Sequence, residues 1–150
     1  EVHRLRAESD AIVVGAGTVR TDDPSLTTRL VSGPSPRRIV LGRAPATALV
    51  HPCLEWSGSL ETLLDQLGDE GVLQLMVEGG ATVAADFHRA GLVDRFVVYL
   101  AAALMGGDDG HPMLSGPGVA NIGDLSRLRL ESVRRLGDDI EIVLERPSSN

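Results

Sequence analysis

Ala11-Ile12-Val13-Val14-Gly15-Ala16-Gly17-Thr18 is the stretch from which the fold can be read. Four apolar residues rich in Val and Ile make a strand that suits a buried position. Glycine directly after it lets the backbone turn with positive φ and lets a ligand approach closely. A helix starting there offers free N–H groups and a positive dipole end, a combination that suits phosphate. The same layout returns at Leu73-Gln74-Leu75-Met76-Val77-Glu78-Gly79-Gly80-Ala81-Thr82. Two such corners in one small chain point to an α/β protein that binds a phosphate-bearing ligand where two strands end.

Outward from these corners, the pattern predicts a regular alternation. Val2, Leu5 and Arg6 have helical spacing with no cap ahead of them, so the chain is expected to open inside an element, with residues missing before Glu1. Thr18 to Asp23 reads as a short helical turn stopped by Pro24, and Arg38–Leu41 as a second strand. Residues 42–56, rich in Ala and Pro, read as irregular. Ser59 caps a helix whose stripe is Leu60, Leu63, Leu64 and Leu67, with Gly68 at its end. Val72–Val77 is a third strand, Thr82–Ala90 a helix ended by Gly91, and Phe96–Leu100 a fourth strand. Residues 105–124 hold six of the 17 glycines and therefore form a long loop. Arg127–Val133 and Ile140–Leu144 alternate around Gly137-Asp138-Asp139, the mark of a hairpin. The expected architecture is a three-layer α/β/α domain with one mixed, mostly parallel central sheet and an antiparallel C-terminal hairpin.

At 150 residues, one domain is expected, and 43% hydrophobic residues suffice for a core built from Val, Leu, Ala and Ile. The formal charge of −7 argues against a nucleic-acid partner. It leaves room for an anionic ligand held by a few Arg side chains. No apolar run has membrane-spanning length, and the start lacks a signal-peptide core. A single cysteine, Cys53, fits a reducing cytoplasmic setting and reads as packed rather than reactive. His3, His51, His88 and His111 have no metal-ligand spacing, so no metal is expected.

Within this frame, Glu78-Gly79-Gly80-Ala81-Thr82 carries the strongest chemical signal. A carboxylate at the carboxyl end of a central strand sits where open α/β sheets bind ligands. Gly79 and Gly80 allow close approach, and Ala81 and Thr82 offer amides to a pyrophosphate. Taken alone, the same residues also suit a tight strand–helix corner with Glu78 as its cap. Gly15-Ala16-Gly17-Thr18 is a second edge of the same crevice or an ordinary turn. Asp22 suits a ribose or amide contact, Arg29 a bidentate phosphate contact, and Arg43, just past a strand, a 2′-phosphate. Their bland alternatives are an Asx turn before Pro24 and two solvated arginines.

Several of these segments, in order, resemble the reductase domain of riboflavin biosynthesis, the C-terminal part of a bifunctional deaminase-reductase that also occurs alone. They are Val2-His3-Arg4-Leu5-Arg6-Ala7-Glu8, Asp10 to Val19, Asp22-Asp23-Pro24-Ser25-Leu26, Val77 to Thr82, and Gly91-Leu92-Val93-Asp94-Arg95-Phe96. The resemblance implies a dihydrofolate-reductase-like fold, a homodimer and an NADPH-dependent reduction of 5-amino-6-(5-phosphoribosylamino)uracil. The ribosyl ring opens to an imine-like form, and hydride reaches its C1′ to give the ribitylamino product. It further implies substrate contacts at Arg6, Leu26, Arg29 and Glu78, the two arginines serving the sugar phosphate. NADPH contacts fall at Thr18, Asp22 and the turn and helix start Gly80–Asp86, with Arg43 at the 2′-phosphate. The family's N-terminal strand and Trp-bearing loop have no counterpart in these residues. Two other readings remain open: a reductase of this fold acting on another pterin or pyrimidine, and a nucleotide-binding relative without turnover.

Overall fold

The computed structural model describes residues 1–107 and 109–147. These residues form two compact units, Glu1–Ala84 and the remainder from Ala85 onward. The first holds helix α1 (Val2–Glu8), strand β1 (Ala11–Gly15), helix α2 (Ala16–Asp22), strands β2 (Arg37–Leu41) and β3 (Leu54–Trp56), helix α3 (Leu60–Asp69), and strand β4 (Leu75–Val77). Helix α4 (Ala81–Arg89) runs across the division, and the second unit continues with β5 (Arg95–Leu100), β6 (Arg129–Leu136) and β7 (Asp139–Glu145).

In the first unit four parallel strands lie in the order β3-β2-β1-β4. Every residue of β1 is buried, which is what a central parallel strand covered on both faces requires. On one face Ile12, Val14 and Val40 pack with Ala16, Val19, Leu26, Ala48 and Val50. Val13 pairs with Ile39 in the ladder, and by alternation both point to the other face. Helix α3 buries Leu63 and Leu67, and its Ser59 cap accepts from the Thr62 amide at 3.2 Å. That cap lies where the sequence puts it, but the helix continues through Gly68 to Asp69. The left-handed residue beyond it is Gly71, at φ 86°.

The second unit contains the antiparallel sheet β5-β7-β6. The hairpin turns at Gly137 (φ 66°) and Asp138, as the spacing predicts. Cross-strand charge pairs line one face: Glu145 lies between Arg95 and Arg129, and Arg134 donates to Glu141 at 2.8 Å. Gly91, φ 69°, stands two residues past the end of α4, and His88 meets Phe96 edge-on, with ring centroids 5.7 Å apart.

Three expectations are revised. The strands make a four-stranded parallel sheet and a separate three-stranded antiparallel sheet, not one mixed sheet. The stretch read as irregular contains β3. The third strand is shorter than Val72–Val77, because the Asp10 carboxylate accepts the amides of Leu73 and Gln74, both at 2.9 Å. Residues 105–124 are loop apart from a short 3-10 turn at Ile122–Asp124, among the residues described.

Candidate active site at the carboxyl edge of the parallel sheet

Because β1 pairs in parallel with β2 and β4, their carboxyl ends share one edge of the sheet. The chain leaves β1 on one side to build β2 and β3, then returns on the other side as β4. This reversal between β1 and β4 is the switch point at which open α/β sheets form ligand crevices. Gly15-Ala16-Gly17-Thr18 emerges from β1 there and Glu78 to Thr82 from β4, with Gly42-Arg43 on the neighbouring strand end. The Glu78 amide donates to Val13 O at 3.0 Å, which extends the ladder and fixes the carboxylate's root beside β1.

The two glycine corners are packed against each other. A Cβ on Gly79 would stand 2.6 Å from Val83 Cβ, and one on Gly15 would stand 2.9 Å from Val83 Cγ2. Val83 therefore fills the space that side chains at both corners would need. A Cβ on Gly80 would lie 3.2 Å from Thr18 Oγ1, so the second corner faces the first. The reason for glycine differs from the one read in the sequence. Neither corner uses positive φ; Gly15 is extended at φ −79° and ψ 146°. What the corners require is the absence of a Cβ. Gly17 has open space around its Cβ direction, so packing does not demand glycine there. Left-handed geometry occurs instead at Gly42, φ 100°, immediately before Arg43. The hydrogen-bond ladder of α4 begins with Ala84 N donating to Gly80 O at 3.1 Å, so the amides of Ala81, Thr82 and Val83 precede it.

Residues 23–29 form the other wall of the site. Leu26 has φ 53° yet is only 1% exposed, packed in the core beside Val14 and Val19. A buried leucine held in the left-handed region is strained, and such strain persists only where neighbours overdetermine it. The neighbours here are explicit. Asp23 (φ 41°) accepts the Leu49 amide through Oδ1 at 2.8 Å. The Thr28 amide donates to Ser35 Oγ at 3.0 Å, and the Arg29 amide to His3 Nδ1 at 3.0 Å. Since Leu26 turns its side chain into the core, only its backbone is available to a ligand.

Arg6 joins this wall to Glu78. Its Nε and Nη2 donate to the two oxygens of the Glu78 carboxylate at 2.8 and 2.5 Å, while Nη1 donates to Thr27 O at 3.2 Å. The Arg6 side chain is 10% exposed and that of Glu78 30%. Asp22, Arg29 and Arg43 are exposed, and among the described residues the guanidinium groups of Arg29 and Arg43 have no ion-pair partner. The forked ion pair thus links the wall to the carboxyl edge, with Arg43 two residues past the end of β2 and Arg29 at the end of the wall. His3, an unassigned histidine in the sequence, proves to anchor the wall; nothing in local spacing could have shown that a residue on α1 reaches Arg29.

Elsewhere, Cys53 packs against the core, and burial pushes its thiol up, with Glu55 adding to the effect. His51 Nε2 bonds Pro45 O at 2.9 Å. Among the described residues no group of His, Cys, Asp and Glu can hold a metal ion. Among them too, no helix is long and apolar enough to cross a membrane.

Comparison with known families places this edge in context. The family described as the RibD C-terminal domain matches residues 1–142. The chain belongs to that family. The riboflavin biosynthesis protein RibD of Mycobacterium tuberculosis is 36% identical over 155 residues, covering 96% of this chain and 44% of that protein. A 2,5-diamino-6-ribosylamino-4(3H)-pyrimidinone 5′-phosphate reductase of Methanothermobacter thermautotrophicus is 30% identical over 174 residues, covering 93% of this chain and 81% of the relative. Acinetobacter baumannii RibD superposes with a TM-score of 0.87 at 26% identity, covering 97% of this chain and 49% of that one. The chain thus spans about half the length of the RibD proteins it matches, and the dihydrofolate-reductase-like α/β fold expected from the sequence is the fold it has.

Proposed function

We propose that this chain is an NADPH-dependent pyrimidine reductase of riboflavin biosynthesis, acting on 5-amino-6-(5-phosphoribosylamino)uracil. The observation that carries the reading is Glu78, held on the last rung beside β1 at the switch point, with a glycine corner and a helix start directly after it. The residues fit a dinucleotide phosphate. Gly80 faces the Thr18 hydroxyl with no Cβ between them, the amides of Ala81 and Thr82 lie at the start of α4, and Arg43 adds a cation with no ion-pair partner among the described residues. Gly15, Gly17, Thr18, Asp22, Arg43 and Gly79 to Thr82 form the proposed cofactor side. Arg6, Leu26 through its backbone, Arg29 and Glu78 form the proposed substrate side.

When bound, NADPH would supply the hydride that reduces C1′ of the opened ribosyl chain, and the exocyclic nitrogen that joins C1′ to the pyrimidine would take a proton from water. The chain's own work is placement and charge. Glu78 accepts hydrogen bonds from substrate N–H or O–H groups, and its anchored backbone fixes where they sit. Arg29 offers a bidentate fork to the sugar phosphate. The strained wall around Leu26 presents backbone groups that cannot drift, because Asp23, Ser35 and His3 each hold a neighbouring residue.

A second substrate is favoured by one observation: the Methanothermobacter relative, of which the chain covers 81%, is named for the diamino pyrimidinone that retains its amino group. Steady-state oxidation of NADPH with each pyrimidine in turn separates the two. The account expects kcat/KM for the uracil compound to exceed that for the diamino compound, and the reverse order assigns the chain to the second substrate. No oxidation with either compound removes the reductase reading. The resemblance also carries a homodimer into this proposal, and the single cysteine a cytoplasmic setting; light scattering of the purified protein checks the first.

A further inference from the structure

We propose that the amino edge of the parallel sheet carries a second anion site, a groove that takes a small organic phosphate through Arg38. The site is independent of the reductase reading. Strands β2 and β3 begin side by side, because Ile39 pairs in parallel with Leu54. At their starts lies a groove of about 590 Å³, whose lining includes Ser35, Arg37, Arg38, Pro52, Cys53 and Leu54. That size suits a small-molecule ligand. The groove opens at the edge of the sheet opposite to Glu78 and Arg43. Arg38 is what calls for an anion there. It is half-buried, yet its guanidinium has no ion-pair partner among the described residues, and Nη1 donates only a long hydrogen bond to His51 O, at 3.4 Å. The buried Arg6, by contrast, is paired with Glu78, and the neighbouring Arg37 with Glu70. Successive residues of a strand point to opposite faces, so Glu70 neutralises Arg37 and not Arg38. A cation partly withdrawn from water without a counter-charge is costly. A chain of formal charge −7 is not short of carboxylates to pair it. The Arg38 charge also reaches the groove lining: burial and Glu55 push the Cys53 thiol up, and Arg38 opposes them. A guanidinium with an uncommitted fork matches two phosphate oxygens at once. Ser35 Oγ accepts the Thr28 amide at 3.0 Å and keeps its own O–H to donate. Pro52 and Leu54 offer apolar surface to the ligand's organic body, which completes the usual make-up of a small-molecule site.

Cys53 lines the groove and is the chain's only cysteine, so its rate of alkylation by neutral iodoacetamide reports on this groove, whichever pyrimidine the protein reduces. The probe is phenyl phosphate, compared with phenol, benzoate and potassium chloride of equal ionic strength. Phenyl phosphate is expected to slow alkylation saturably, by about tenfold when present at ~10 times its Kd. Phenol and potassium chloride are expected to leave the rate unchanged, and benzoate to protect more weakly. In Arg38→Gln, measured against that variant's own ligand-free rate, phenyl phosphate is expected to have no effect. Should Arg38→Gln fail to fold, Arg38→Lys takes its place: it keeps the charge and loses the fork, so the concentration for half protection is expected to rise about tenfold. An Arg38 that only tethers the His51 loop predicts a lower denaturant midpoint in Arg38→Gln with protection intact. The proposal is overturned by that result, by protection undiminished in Arg38→Lys, by wild-type protection that phenol, benzoate or potassium chloride matches, or by no protection of the wild type at all.

Discussion

Gly17 and Gly79 are the same residue in matching corners, yet they meet opposite surroundings. A Cβ on Gly79 runs into Val83 at 2.6 Å, while Gly17 has nothing near it and lies in α2. Gly79→Ala is therefore expected to destabilise by ~1–3 kcal/mol through overpacking, with Val83→Ala in the same chain restoring part of it. Gly17→Ala is expected to be neutral or to stabilise by ~0.5–1 kcal/mol, because alanine is the better helix former. Denaturant midpoints of the variants check both. Leu26 tests the wall: Leu26→Ala removes a fully buried side chain and is expected to cost ~2–4 kcal/mol in the same measurement. Residues of this kind were partly legible beforehand. Glu78, Gly79 and Gly80 stand out because strand, carboxylate and glycines are contiguous. The left-handed backbone of Leu26 does not, since leucine gives no local sign of it. The Arg6–Glu78 fork spans residues far apart in sequence, and only the folded sheet brings them together.

At the scale of elements, Asp10 shows how one carboxylate shapes two strands. It stands just before β1 and accepts the amides of Gln74 and Leu73 ahead of β4, and these hydrogen bonds hold its carboxyl below the usual carboxylate range. With the native titration below the unfolded one, at about pH 4, the stabilisation is present above that pH and is lost as pH falls through the native titration. Asp10→Asn is expected to lower Tm at neutral pH and to flatten the fall of Tm toward acid; an unchanged pH dependence would show that the two amides contribute nothing. Ser59→Ala should cost about 1 kcal/mol through the lost cap of α3. Long periodic elements such as α3 and the hairpin were readable because their patterns repeat. Strand β3 was not, since three residues with Glu55 at the centre carry no period. The shortening of β4 was equally hidden, because it follows from a carboxylate remote in sequence.

For the molecule as a whole, composition and pattern gave the α/β class, and the formal charge of −7 argues against a nucleic-acid partner. They did not give strand partners. Apolar runs state that strands exist and are buried, but pairing is set by long-range register, which is why two hydrogen-bonded sheets stand where one mixed sheet was expected. The switch point follows from strand order alone, so the best sequence signal and the best structural signal converge on one edge of the first unit. The central claim is that this edge directs hydride from NADPH to C1′ of a phosphoribosylamino pyrimidine. NADPH deuterated at its transferable nicotinamide position, incubated with the protein and the uracil substrate, tests that claim most directly by locating the label in the product. The account predicts one deuterium at C1′ of the ribitylamino product; a product labelled elsewhere, or NADPH left unoxidised, would contradict it.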